Sequence, residues 1–393
     1  MRVSEMSGLR DEWYAVAPVE GSRGAAPSPV ALLGESYVLF VAESGGAALT
    51  EPYCPHRGAS LAAASVCADR LVCCYHGWEF DVTGACTRIP QLEPGLPLPS
   101  KARLRTWPVV ERYGMWWACI GKPSRDGPPP WPEADDLGWR VHVDFFEPWD
   151  ACALRIIDNN IDQSHPAFVH RGTFGDPERP LVPRYELLRR ENGFSARIVH
   201  EVSGVGPQMG IDDLTQRFER VTEVELLSPV HTRILLDYGG LAPDYCFYGS
   251  ATPIDDERSY YVRLSALSAP EDAQPYDMFR EYSRQITLED KVVLETTHGD
   301  FPVDLTSEVH LRCDKTTLEY RRVLAQLAAR RRGARGAPAA GPHAPATRAR
   351  TVVTDPGARA DAPSRGARAP RPRAEPSARP ARAQRSHRPE PSS

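Results

Sequence analysis

Two short loops concentrate the metal-binding chemistry of this sequence. Cys54-Pro55-His56-Arg57-Gly58 and Cys73-Cys74-Tyr75-His76-Gly77-Trp78 each combine a thiol with an imidazole, and 16 residues separate His56 from Cys73. Each loop can give a thiolate to one iron and an imidazole to the other iron of a [2Fe–2S] cluster. Neutral imidazoles in place of two thiolates leave the cluster less negative, so it accepts an electron at a higher potential than an all-cysteine cluster. The same four residues also suit tetrahedral zinc. Zinc fingers, however, usually pair Cys with Cys and His with His, whereas both loops here mix the two. Gly58 and Gly77 allow tight backbone turns over a partly exposed cluster.

A second set lies further along, in Asp158-Asn159-Asn160-Ile161-Asp162-Gln163-Ser164-His165-Pro166-Ala167-Phe168-Val169-His170. Two imidazoles and one carboxylate form the facial set that leaves an Fe(II) ion open positions for O₂ and substrate. One unbroken helix would turn His165 and His170 about 140° apart at 3.6 residues per turn. Pro166 lacks an amide donor and crowds the preceding turn, so a helix break there is expected to re-aim His170. The carboxylate must come from elsewhere, and Gln285 to Glu295 offers it. Phe279, Tyr282, Ile286, Val293 and Thr297 repeat every three or four residues with one gap, which position 290 fills. An unpaired buried carboxylate is costly, so a metal is a reasonable partner for one there. The pattern also tolerates Glu289, and it is compatible with a helix-end or ion-pair role for either acid.

The two Cys/His loops closely resemble the Rieske motif, and Asn159, Asp162, His165 and His170 are spaced like the mononuclear iron motif of Rieske oxygenases. Glu289-Asp290-Lys291-Val292-Val293 is similar to a segment of the dicamba monooxygenase and vanillate O-demethylase type enzymes whose Asp is the ligand; that resemblance selects Asp290. The resemblance covers about residues 10–325 and implies the oxygenase (alpha) component of a Rieske non-haem iron system. It implies a cluster on Cys54, His56, Cys73 and His76, and one mononuclear Fe(II) on His165, His170 and Asp290. Asn159 matches a family residue near the iron that guides O₂ or water. Asp162 matches one that orients His165 and bridges to His76 of a neighbouring subunit, which makes a homotrimer part of the expected mechanism. A separate ferredoxin or NAD(P)H reductase would supply electrons, and the reaction would hydroxylate or demethylate a small organic substrate. An aromatic-ring cis-dihydroxylating dioxygenase subunit and a Rieske electron-transfer protein without oxygenase activity are the alternatives.

These residues need elements to position them. From Trp13 to Ile120 short strand-like runs alternate with Gly and Pro turns, the pattern of a small all-β domain. Residues 10–121 are expected to be the Rieske domain, and the Pro-rich stretch 122–139 a linker. From 140 to 328 strands such as Phe194 to Val199 and Val221 to Leu226 combine with the helix carrying Asp290, an α+β pattern. The resemblance makes this a helix-grip (START-like) catalytic domain, a curved antiparallel sheet around a long helix. Phe247 and Tyr248 are candidate pocket residues and equally candidate core aromatics.

Composition agrees with a cytoplasmic enzyme. The 393-residue chain has no apolar run near 18 residues and no apolar segment at its N-terminus. Of nine Cys, seven lie outside the cluster loops' ligand positions, an odd and irregular set that suits free thiols in a reducing compartment. Residues 331–393 hold 14 Arg against 4 acids, with no Lys and no aromatic residue, and are expected to be disordered. Their charge of +10, against −5 for the whole chain, leaves −15 on residues 1–330. Such a tail can attract acidic partners, but read-through or a shifted frame of GC-rich coding sequence gives the same composition, and nucleic acid is not an expected partner.

Overall fold

The computed structural model describes residues 1–202, 217–269 and 276–334. The Arg-rich stretch beyond 334 lies outside the described residues, while the preceding helix continues to Ala334, through the first four residues of the expected tail. Eleven strands precede residue 120 among the described residues. They are β1 (Tyr14–Pro18), β2 (Ser28–Leu32), β3 (Glu35–Val41), β4 (Ala47–Thr50), β5 (Ser65–Cys67), β6 (Arg70–Val72), β7 (Glu79–Phe80), β8 (Cys86–Arg88), β9 (Thr106–Trp107), β10 (Val109–Arg112) and β11 (Met115–Ala118). They form three small sheets, ordered β1-β11-β10, β2-β3-β4-β9 and β5-β6-β7-β8. The cluster loops open from the last two: one follows β4, the other joins β6 to β7. Val38, Phe40, Leu61, Leu71, Phe80 and Leu104 make the apolar core beneath them.

The remainder is built on one antiparallel sheet of seven strands. These are β12 (Arg140–Trp149), β13 (Glu186–Arg189), β14 (Phe194–Val202), β15 (Phe218–Ser228), β16 (His231–Asp237), β17 (Tyr245–Pro253) and β18 (Ser259–Leu267), in the order β12-β18-β17-β16-β15-β14-β13. The pleat sorts their side chains by parity. Cys246, Tyr248, Val262, Leu264 and Ala266 turn to one face, where Trp13, Met115, Trp117 and Trp131 cover them. Tyr245, Phe247 and Arg263 turn to the other face and line a cavity. Phe247 is thus a pocket residue and Tyr248 a core residue, because neighbours on a strand face opposite ways.

Five α-helices lie among the described residues: α1 (Pro132–Asp135), α2 (Ala153–Ile161), α3 (Pro166–Val169), α4 (Tyr276–Leu294) and α5 (Lys315–Ala334). The stretch 122–139 is packed at its centre: Trp131 is fully buried, and Glu133 on α1 pairs with Arg233 on β16 in a buried ion pair. The first residues are anchored too, with the terminal amine donating to the Phe301 carbonyl at 2.9 Å and Leu9 buried. α4 crosses the cavity face of the sheet, where Thr287 Oγ1 accepts from Arg263 at 2.8 Å and Ser283 donates to Asp144 at 3.3 Å.

The expected stripe on α4 is only half right. Phe279, Tyr282 and Ile286 face the cavity, but Val293 and Thr297 are exposed. The most buried line is Phe279, Ser283, Thr287, Asp290 and Leu294. Three of its members are polar, and two of these, Ser283 and Thr287, bond to the sheet rather than to water, so hydropathy alone does not reveal that face.

Candidate metal centres and substrate cavity

The two cluster loops share one hydrogen-bond plan. Gly58 N donates to the Cys54 carbonyl and Gly77 N to the Cys73 carbonyl, each at 3.0 Å. Cys54 N then donates to Ala59 O at 2.8 Å and Cys73 N to Trp78 O at 2.9 Å. Both loops therefore turn back at their glycines, whose φ values of +71° and +69° lie in the left-handed region. Cys54 and Cys73 are buried, while His56 and His76 are half-buried with ring centroids 4.4 Å apart. Trp78 stacks on His56 at 4.5 Å, nearly parallel. Burial, with the neighbouring Cys73 thiol, pushes the Cys54 thiol up to about 11. His56 Nδ1 is buried with no hydrogen-bond partner. An imidazole nitrogen and two thiols held this way lack what a metal would supply, so the residues fit a cluster of two imidazoles and two thiolates.

The second centre lies where α2, α3 and α4 meet. α2 ends at Ile161, with the Asp162 amide bonding back to Asp158 and Asn159 carbonyls. The break thus comes four residues before Pro166, which instead opens the single turn of α3 as its first residue. His165 and His170 cap the two ends of that turn. Asp162 stands just outside the helix, with extended backbone. Its Oδ2 accepts from the His165 amide at 2.9 Å and faces His165 Nδ1 at 3.1 Å, while Oδ1 accepts from the Ser164 amide and hydroxyl at 3.0 and 2.7 Å. The carboxylate oxygen that does not face His165 is therefore already engaged by Ser164. Burial disfavours the Asp162 carboxylate, but the His165 and Ser164 hydrogen bonds prevail and hold its pKa at about 2.

Asp290 comes from α4 to complete the set. Its Oδ1 lies 3.5 Å from His165 Nε2 and 3.4 Å from His170 Nε2. All three ligand atoms fall within 4.8 Å of one another. Asp290 Oδ1 is buried and has no hydrogen-bond partner, so the three residues fit a single metal. Glu289, the other acid of the pair, has its own place: Oε2 lies 2.9 Å from His170 Nδ1 and accepts from Thr173 at 2.9 Å. Each imidazole thus turns one nitrogen to Asp290 and the other to a carboxylate of its own, the arrangement that fixes ring orientation at metal sites. Burial lowers the His170 pKa despite the nearby Asp290, whereas for His165 the Asp162 bond and both acids outweigh burial and raise it.

A cavity of about 120 Å³ opens above this set, comparable with sites of roughly 150 Å³ that take up benzene. Asn159 and Asn160 lie on its rim, as do Asp162 and both histidines. Asn160 is held by Thr232 and Tyr261 at 3.2 and 2.9 Å. Asp158, one residue before Asn159, is drawn the other way into an ion pair with Arg321 at 3.0 Å. Phe174, absent from the sequence expectations, stacks on His170 with centroids 4.9 Å apart. No helix among the described residues is long and apolar enough to cross a membrane.

Comparison with known proteins matches both parts of the chain. Residues 12–108 match the Rieske [2Fe-2S] domain, and residues 149–330 match the vanillate O-demethylase oxygenase C-terminal domain. Methylxanthine N1-demethylase NdmA of Pseudomonas putida is 30% identical over 336 residues, which is 82% of this chain and 90% of that protein. The 5,5'-dehydrodivanillate O-demethylase oxygenase subunit of a Sphingobium species is 30% identical over 283 residues, 68% of this chain and 60% of the relative. Among solved structures, NdmA of Pseudomonas putida with caffeine superposes with a TM-score of 0.73 at 26% identity, covering 84% of this chain and 94% of that one. Dicamba monooxygenase bound to dicamba shares the fold, with a TM-score of 0.68 at 20% identity over 83% and 99% of the two chains. The chain belongs to the Rieske non-haem iron oxygenases: it is an oxygenase component with an all-β [2Fe–2S] domain and a catalytic domain that uses a mononuclear iron.

Proposed function

We propose that this chain oxygenates a small ring-containing substrate in the cavity above His165, His170 and Asp290, hydroxylating it or removing an O- or N-methyl group. The convergence of those three ligand atoms, with both imidazoles braced by carboxylates at the base of an apolar cavity, carries the reading. Fe(II) bound there supplies open positions at which O₂ is activated. Cys54, His56, Cys73 and His76 hold the cluster that delivers electrons, received from a separate ferredoxin or reductase. Asn159, on the cavity rim, positions O₂ or water. The relatives named for N- and O-demethylation motivate the methyl-removal alternative. A bare Rieske electron carrier would need none of the second set.

The chain functions as a closed ring, most simply a trimer, in which Asp162 of one subunit meets His76 of the next. Tyr53 and Tyr75 beside the cluster loops are 60% and 64% exposed, and Val292 on α4 is 70% exposed, which suits burial between subunits. The test is O₂ consumption by anaerobically purified protein with a surrogate reductase, screened across methoxylated aromatics and N-methylated heterocycles. Substrate-dependent uptake with formaldehyde release supports demethylation, and uptake with a hydroxylated product supports hydroxylation. No uptake with any class, from protein holding both metals, contradicts the reading.

A further inference from the structure

One side chain of the cavity wall is left without work by the chemistry above. Arg220 on β15 is followed by Thr222 and Val224, and the pleat turns all three to the cavity. Arg220 is only 8% exposed. Among the described residues no carboxylate lies within ion-pair distance of its guanidinium, and its Nε is buried without a hydrogen-bond partner. Phe174 faces the guanidinium, with Cζ 5.5 Å from the ring centroid, and Tyr238 lies beside it.

The acids around the cavity have other partners. Asp162 serves His165 and Ser164, Glu289 serves His170 and Thr173, and Asp290 faces the two Nε2 atoms. Asp144 accepts from Ser265, Tyr276 and Ser283. Arg263, the other cation of the wall, is balanced: it donates to Thr287 and Tyr245, with Asp144 at 3.9 Å. His200, paired with Arg220 across β14 and β15, adds no second cation, since burial and then the Arg220 charge lower its pKa to about 4. A buried charge without a counter-charge is strongly unfavourable, whereas an aliphatic residue would simply extend the wall of Val224, Ile234 and Leu236. A cation that no described carboxylate balances, set in the wall beside Val224, Ile234 and Leu236, calls for an anion that arrives with the ligand.

We propose that Arg220 anchors the anionic group of the substrate, and that the substrates are small aromatic acids, carboxylates or sulfonates ionised at neutral pH. This rests on the cavity being the oxygenation site. Phe174 links the anchor to the iron site: its ring stacks on His170 and faces the Arg220 cation, so both border one aromatic side chain of the same cavity. The ring of the acid then lies among Phe247, Phe279 and Ile286, with the group to be oxidised turned toward Asp290.

The test is calorimetric binding to the anaerobic iron-loaded protein without reductase, so that no turnover enters. The probes are 4-methoxybenzoate, 4-methoxybenzenesulfonate and the neutral 4-methoxybenzamide. Wild type should bind at least one of the two anions about 10- to 100-fold more tightly than the amide, the worth of a charge-assisted bond. Arg220→Gln should remove that preference mainly by weakening the anion, while Arg220→Lys should keep part of it. Equal binding of acid and amide by wild type, or no binding of either anion, overturns the proposal even if the variants fail to fold. Equal weakening of acid and amide in Arg220→Gln would also overturn it, as the mark of a structural role. Substrate-dependent O₂ uptake with neutral compounds alone would sink the anchor and leave the oxygenase reading standing.

Discussion

Replacing Glu289 should weaken iron binding although Glu289 touches no metal. His170 is 4% exposed at its side chain, and its Nδ1 has Glu289 Oε2 as partner at 2.9 Å. Glu289→Ala leaves that N–H buried and unpaired, a cost of about 1–3 kcal/mol, and frees the ring to turn its Nε2 away from Asp290. At about 1.4 kcal/mol per factor of ten, Fe(II) affinity should fall roughly 10- to 100-fold, the range seen when orienting partners of metal-bound histidines are lost. Glu289→Gln keeps an acceptor and loses the charge. Because charge-assisted bonds are about twice as strong as neutral ones, it should lose roughly half as much free energy. The assay is competition for Fe(II) with a chromogenic chelator, with the visible spectrum of the Rieske cluster as internal control. Wild-type Fe(II) affinity in Glu289→Ala, with an intact cluster, would refute the bracing of His170.

Other expectations follow from single contacts. A Cβ on Gly175 would lie 2.2 Å from the Pro166 carbonyl oxygen and 2.7 Å from the His170 carbonyl carbon, so Gly175→Ala should displace the α3 turn and lower mononuclear iron occupancy while sparing the cluster signal; full occupancy would contradict this. Asp162→Asn should retain the cluster and the oligomer but slow single-turnover electron transfer by orders of magnitude; freeze-quench kinetics matching wild type would remove Asp162 from the electron path. His231 is buried against Trp117 and Tyr248, and burial, then the Arg125 charge, lowers its pKa to about 3. The unfolded chain, with a histidine pKa near 6.5, binds the extra proton first, so stability present above about pH 6.5 is lost as pH falls toward 3. Urea unfolding between pH 4 and 6 should show a slope shallower by about one proton in His231→Gln, and an unchanged slope would contradict the burial argument.

The candidate ligands of both centres could be picked out in the sequence because metal chemistry fixes residue types at short local spacings, as in the Cys54/His56 loop and the His165-Pro166 junction. The sheet was legible through strand alternation, which also placed Phe247 near the site without saying on which side of it Tyr248 would fall. What hid was whatever the fold alone brings together. Glu289 meets His170 only because α4 lies against α3, and Phe174 and Arg220 meet only across separate elements. The true buried face of α4 escaped the apolar pattern because Ser283 and Thr287 are buried through hydrogen bonds to partners on distant strands. The helix break came early because Asp162 closes α2 and then folds back onto Ser164 and His165, a local competition that the proline concealed.

Iron counting joined to electron paramagnetic resonance, on wild type and Asp290→Ala purified side by side under anaerobic conditions, tests the two-centre account most directly. Wild type should hold about three irons per chain, two in the cluster and one on His165, His170 and Asp290. Asp290→Ala should hold about two, with an unchanged reduced Rieske signal and no substrate-dependent O₂ uptake. Equal iron in the two proteins, or loss of the Rieske signal with the substitution, would contradict the assignment of Asp290 and the independence of the two centres.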